Sequence, residues 1–209
     1  MLTALFTGLS IGLGSGVAPG PLTGLAISTT LRSGLGPGLR IAVAPLISDS
    51  VIIVLSLTLV SQLPDVAITI LGIVGAIVVA AFGIEILWSA HKMRNSELDM
   101  GNQRPTKLQK LPVLVQGVLI NFLNPAPWIF WITAGSTILI AFWRESPTQA
   151  FLFIFTFYFA LVGAKVLIVF TLAASAHRMS ARTYRLILTA SGILLLVTAV
   201  ILLLTHVVS

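Results

Sequence analysis

The chain is predicted to fold as an all-α integral membrane protein, on three observations. Hydrophobic residues make up 57% of its 209 residues and charged residues only 9%, against about 25% charged in an ordinary soluble domain. Its 12 basic and 6 acidic residues are unevenly spread and leave long uncharged runs. A soluble core cannot absorb so much apolar chain, because a domain of this size still has a large surface to cover. The runs are also too long, and alternate too little, for the strands of a membrane barrel, so the spans are helical.

A span needs about 20 apolar residues to cross about 30 Å of hydrocarbon. Six runs meet that length: Leu2–Leu31, Leu39–Ser61, Val66–Ala90, Leu111–Phe142, Thr148–Ala176 and Tyr184–Val208. The first has no Lys or Arg ahead of it, whereas a cleaved signal peptide begins with a positive stretch, so a retained span is expected. Pro45 interrupts the second run early, and Pro64 with Asp65 marks a tight turn into the third. Residues 91–110 form the one long polar stretch and divide the chain into a first half, 1–90, and a second, 111–209, within a single membrane domain. Each half holds three spans.

Orientation follows from the basic residues. Arg32 and Arg40 follow span one, Lys92, Arg94, Arg104, Lys107 and Lys110 fill the linker, and Arg178, Arg182 and Arg185 follow span five. The opposite side has Arg144 alone, and Lys165 lies within a span. That asymmetry places the three loops in the cytoplasm and both termini outside, in a multi-pass protein of the cytoplasmic membrane. The net charge of +6 is therefore read as basic loops against a lipid bilayer, with no nucleic acid as partner.

Two halves with an odd number of spans run in opposite orientations, the plan of inverted-repeat transporters, whose broken helices lie at corresponding places. The sequence offers such a pair in Ala18-Pro19-Gly20-Pro21 of span one and Asn124-Pro125-Ala126-Pro127 of span four. Proline can also merely kink a membrane helix. Asp49 in span two and Lys165 in span five are ionisable groups within spans, which are costly there and mark function or a structural pair. By helix rise, each lies about 15 Å from the cytoplasmic end of its span, and Pro19–Pro21 and Asn121–Asn124 fall at about 15–20 Å. Four spans thus place their unusual residues at one level. Glu85 is near enough to its helix end to reach the interface, and the bland reading is preferred for it. Asn121 and Asn124 could equally bond between helices or cap the break.

Gly8, Gly12, Gly16, Gly20 and Gly24 form a small face along span one, suited to close packing of another helix. A homo-oligomer joined through this face is the alternative use. Trp88, Trp128, Trp131 and Trp143 fall near span ends or the second break, as belts and cavity walls do. The chain has no cysteine, which excludes a disulfide framework, a thiolate metal site and a cysteine nucleophile. No His, Asp and Glu set has metal-ligand spacing. Gly14-Ser15-Gly16 superficially resembles an intramembrane serine protease, but nothing positions a base beside it, and the chain is expected not to be an enzyme. No nucleotide-binding motif is present, so no cofactor is expected.

With Pro19-Gly20-Pro21, then Gly34 and Gly38, Ser48-Asp49, and Gln116-Gly117-x3-Asn121-x2-Asn124-Pro125, the chain resembles the LysE/RhtB amino-acid exporter family over essentially its whole length. The resemblance implies a secondary-active exporter of amino acids or related small metabolites, coupled to an ion gradient, the proton first among candidates. The expected site is Asp49, Lys165, Pro19, Gly20, Pro21, Asn121, Asn124 and Pro125, with a channel or ion carrier using the same centre as the alternative. The family commonly has Lys where this chain has Ala126, and Gly where it has Ser48. Lys165 matches no family motif, and would supply the charge missing at position 126.

Overall fold

The computed structural model describes residues 1–92, 111–174 and 181–207, excluding the side chains at 89, 181–184, 187 and 205–207. The expected linker lies outside the described residues from position 93 onward, as do Arg178 and the side chains of Arg182 and His206. All described elements are helical. The first expected span is two helices, α1 (Leu2–Val17) and α2 (Pro21–Ser33), bent by 59°. Ala18 is pushed to φ −51°, ψ 130°, the extended region that a following proline imposes. Pro21 then sits at the first position of α2, where its missing N–H costs nothing. Gly34, at φ +88°, ends α2 in a left-handed conformation suited to glycine.

Helix α3 (Leu35–Ala42) and α4 (Pro45–Val60) form one 26-residue stretch with a joint just before Pro45. Asp65 opens α5 (Asp65–Lys92) after the turn at Pro64, an acid in the first turn where the helix dipole favours it. The fourth expected span divides at Asn124 into α6 (Val113–Leu123) and α7 (Pro125–Phe130). A π-helical turn, Trp131–Gly135, then leads into α8 (Ser136–Glu145). The chain continues through α9 (Pro147–Ala174) and α10 (Ala181–Val207).

Among the described residues, four stretches are long and apolar enough to cross a bilayer, and the bent pair α1–α2 makes a fifth. The four are Leu35–Val60, Asp65–Lys92, Pro125–Glu145 and Pro147–Ala174. Helix α10 has a shorter described apolar stretch, Leu188–Leu204, and α6 is likewise short. The break at Asn124 therefore leaves only the later part of the fourth run at spanning length.

Helix α1 packs along α9, and the two run parallel. Met1 meets Gln149, a Cβ at Gly8 would strike Thr156, and one at Gly16 would lie 2.7 Å from the Leu161 carbonyl oxygen. The glycine face of α1 is thus spent inside the chain. Gly20 belongs to the same series but has no heavy atom within 4 Å of its Cβ position. Helix α5 packs along α10 in the antiparallel sense, with Gly83 and Leu87 of one against Gly192 of the other. The segments that follow the second break, α7, the π turn and α8, each touch α4 and α5. At one end of the bundle Arg144 bridges to Asp65 at 2.7 Å; such an exposed pair contributes little to stability.

Candidate functional site

A cavity of about 220 Å³ lies where the two helix breaks meet α4, α5 and α9. Its lining includes Pro19, Gly20, Pro21, Asp49, Asn121, Asn124 and Lys165. Of the eight residues expected at the site, Pro125 alone is absent from the lining; it is exposed at the start of α7. Glu85, read from the sequence as interfacial, is exposed and lines the cavity too.

The depth of the cavity is set by groups that are almost wholly buried. Asp49 is 3% exposed, Asn121 5% and Lys165 5%. Asn121 Nδ2 donates to Asp49 Oδ1 at 2.6 Å and lies 2.7 Å from Ser48 Oγ, and the Tyr158 hydroxyl donates to Asp49 Oδ2 at 3.2 Å. Both carboxylate oxygens therefore have a donor, which a buried carboxylate requires. Lys165 Nζ donates to the Gly16 carbonyl oxygen at 3.1 Å and to Thr23 Oγ1 at 3.0 Å, and the Thr23 hydroxyl donates to the Ala18 carbonyl at 2.9 Å. An ammonium carries three donors, so one remains beyond these two bonds. Asp49 and Lys165 share the cavity without forming an ion pair within 4.0 Å. Each is held by the polar groups of its own neighbourhood.

The two breaks are built alike. Gly16 and Phe122 each stand three residues before the first proline of their break. In an uninterrupted helix each carbonyl would accept from the residue four positions on. Lys165 Nζ takes the Gly16 carbonyl, whereas Trp128 Nε1 takes that of Phe122 at 2.8 Å. The amide ends differ. Asn124 Oδ1 accepts from Ala126 N at 3.2 Å and caps α7, but α2 begins without any side-chain cap. The first-turn amides of α2 at Leu22 and Thr23 thus border the cavity at the positive end of a helix, a setting that favours an anionic group.

Aromatic rings close the apolar side. Phe130 stacks on Phe157 with centroids 5.6 Å apart, and Trp131 meets Phe157 edge to face at 5.5 Å. Trp131 opens the π turn, a distortion frequent at functional positions. Sequence reasoning missed Tyr158 at this site, and assigned no role to the hydroxyls of Thr23 and Ser48. A hydroxyl on an apolar run carries no signal until the partner helix is known. Tyr158 could have been flagged only as one of two tyrosines in the chain.

A chain of apolar helices with a broken-helix cavity that holds a buried acid, Asp49, and a buried cation, Lys165, is a multi-pass membrane transporter of small molecules. A family model for the LysE type translocators matches residues 15–206. The chain belongs to the LysE type translocator family, a family of transporters and not of enzymes. No curated protein and no solved structure gives a significant match.

Proposed function

We propose that this protein is a secondary-active exporter of amino acids or related small metabolites across the cytoplasmic membrane. One observation carries the reading: both helix breaks, Asp49 and Lys165 line a single cavity. The polarity of that cavity suits a zwitterion. A substrate carboxylate is bound by the uncapped amides of α2 and the remaining Lys165 donor, and Asp49 takes the substrate ammonium or the coupling proton.

The reading assigns six spans in two inverted halves, 1–90 and 111–209, joined by a cytoplasmic linker at 91–110, with both termini outside. The packing supports it. Exchanging the halves turns span one against five into span four against two, and both contacts occur, as α1 on α9 and as α6, α7 and α8 on α4. Span three against six maps onto itself and is the α5–α10 contact. Alternating access about the midplane follows from such a plan. The substrate is exchanged for the coupling ion, with a proton as the candidate. A homo-oligomer through the α1 face is disfavoured, because α9 already covers Gly8, Gly12 and Gly16.

The test is efflux from proteoliposomes loaded with a mixed amino-acid panel, with and without an imposed pH gradient. Saturable efflux that responds to the gradient is expected. Non-saturating flux that follows only membrane potential identifies a channel or ion carrier using the same polar centre.

A further inference from the structure

Helix α5 contributes one face to the cavity: Val79, Phe82, Glu85 and Ile86, at the spacing of a single helical stripe. Three of these side chains are apolar, and the fourth is a carboxylate. Val79 and Ile86 are buried, Phe82 is partly so and Glu85 is exposed. Gly20 and Pro21 of the first break are the other exposed residues of the lining, so Glu85 stands with that break at the mouth.

The three charges of the lining differ in how they are held. Two donors satisfy Asp49, and Lys165 gives two of its three donors to the Gly16 carbonyl oxygen of α1 and the Thr23 hydroxyl of α2. Among the described residues no hydrogen bond or ion pair reaches Glu85. The cation on the same helix, Lys92, stands over the Trp88 ring at 5.2 Å from its centroid, while Glu85 lies on the cavity stripe. The least compensated charge of the cavity is therefore negative and at its mouth. An acid on a low-dielectric wall focuses its field into the opening, and a like charge entering there is opposed.

We infer that Glu85 is a charge filter, a specificity residue that admits substrates with neutral or cationic side groups and rejects those with a second carboxylate. The inference rests on the proposed translocation site and adds the substrate class that site refuses. A substrate whose carboxylate and ammonium are held at the break and at Asp49 has its remaining group directed to the α5 wall. An apolar group lies there against Val79 and Phe82. A carboxylate meets Glu85, which has no counter-ion among the described residues. Discrimination of this kind works by repelling the wrong ligand more than by attracting the right one.

The field at the mouth is measurable without knowing the substrate, because the chain has no cysteine of its own. Ser15→Cys and Ala126→Cys, each at a cavity-lining position, are reacted in the full chain with cationic and anionic methanethiosulfonates of similar size. Adding Glu85→Gln should raise the anionic-to-cationic rate ratio about tenfold, which corresponds to about 1.4 kcal/mol of repulsion removed. Glu85→Asp, which keeps the charge, should retain the original ratio. A ratio unmoved by Glu85→Gln, or cysteines at both positions that react with neither reagent, overturns the filter. In proteoliposomes, the strength of glutamate relative to leucine as a competitor of efflux should rise about tenfold in Glu85→Gln. If the unmodified chain moves no amino acid, the translocation reading fails while the reagent ratio still decides on Glu85. If it moves leucine and the glutamate-to-leucine ratio stays constant, the filter falls and translocation stands.

Discussion

Lys165 Nζ donates to the Gly16 carbonyl oxygen at 3.1 Å, so the single cation of α9 caps the helix end that the first proline pair breaks. The bond helps to keep at this depth an ammonium that has no carboxylate within 4.0 Å. The last carbonyls of a helix carry partial negative charge, and here they stand in for a carboxylate.

That arrangement separates stability from function at Lys165. Burying an ammonium costs several kcal/mol, which its two hydrogen bonds offset in part, and an apolar residue of similar length avoids the cost. Lys165→Met should therefore shift the unfolding free energy by no more than about 1–2 kcal/mol in either direction. Efflux should fall at least about tenfold. Thermal unfolding in detergent, paired with efflux at equal protein, separates the two readouts. A large loss of stability with efflux unchanged per folded molecule would make Lys165 a structural group alone.

The lack of an ion pair between Asp49 and Lys165 predicts the outcome of a double-mutant cycle. Asp49→Asn sets an amide N–H where an acceptor of Asn121 or Tyr158 is needed, and leaving such a group unmatched costs about 1–3 kcal/mol. Efflux should be abolished. Lys165→Met on that background should neither restore stability nor restore flux. With no direct contact within 4.0 Å, the coupling between the two stability effects should stay at about 1 kcal/mol, the through-space attraction of two charges that share one cavity. Coupling well above that would reveal an ion pair formed in another state of the transporter.

The level of Asp49, Lys165 and the two breaks was legible in the sequence because helix rise converts residue counts into depth. Azimuth was not. Whether Lys165 turns toward Asp49 or toward Gly16 depends on how α9 lies against α1, which no residue of α9 announces. The break at Asn124 could be placed from its prolines, but the π turn at Trp131–Gly135 could not. It lies against α5, where a Cβ at Gly75 would sit 2.5 Å from Ala134 Cα, a contact that neither helix announces by itself. Glu85 was read as interfacial from its distance to the helix end. Its place in the cavity depends on its sharing a stripe with Val79, Phe82 and Ile86.

The glycines of the first span divide into two groups with opposite expectations. A Cβ at Gly12 would meet the Phe157 carbonyl oxygen and lie 3.0 Å from Ala160 Cβ, so α9 must move away. Overpacking of that kind costs about 1–3 kcal/mol, and Gly12→Leu should cost more than Gly12→Ala. Gly20 has open space around it and an extended φ of −173°, which any residue adopts. Gly20→Ala should keep the unfolding temperature unchanged, whatever it does to efflux. Thermal unfolding of the purified variants compares them directly, and equal destabilisation at both positions would contradict the close packing of α1 on α9.

Topology is checked by two fusions. Ten of the twelve basic residues fall at alternate junctions between the spans read from the sequence, so a reporter active only outside the cytoplasm should be active after Ser209 and silent within 95–105. The reverse result would remove the inverted six-span reading.

The proline pairs give the sharpest contrast between insertion and transport. Pro19 and Pro21 withhold two backbone donors and hold Ala18 extended, which frees the Gly16 carbonyl for Lys165 and leaves α2 without a cap. Replacing both with alanine lets α1 run on into α2, an unbroken apolar helix that inserts at least as well. Gly16 would then bond within its own helix, and Lys165 would lose an acceptor. Pro19→Ala with Pro21→Ala should therefore reach the membrane in normal amount and lose at least about tenfold in efflux. At the second break, Asn124 and Trp128 already satisfy the freed groups from within the same segment. Pro125→Ala with Pro127→Ala should also impair efflux, and by less than the first pair. Efflux from vesicles matched for inserted protein measures both, and full activity in the two double variants would reduce the prolines to ordinary kinks.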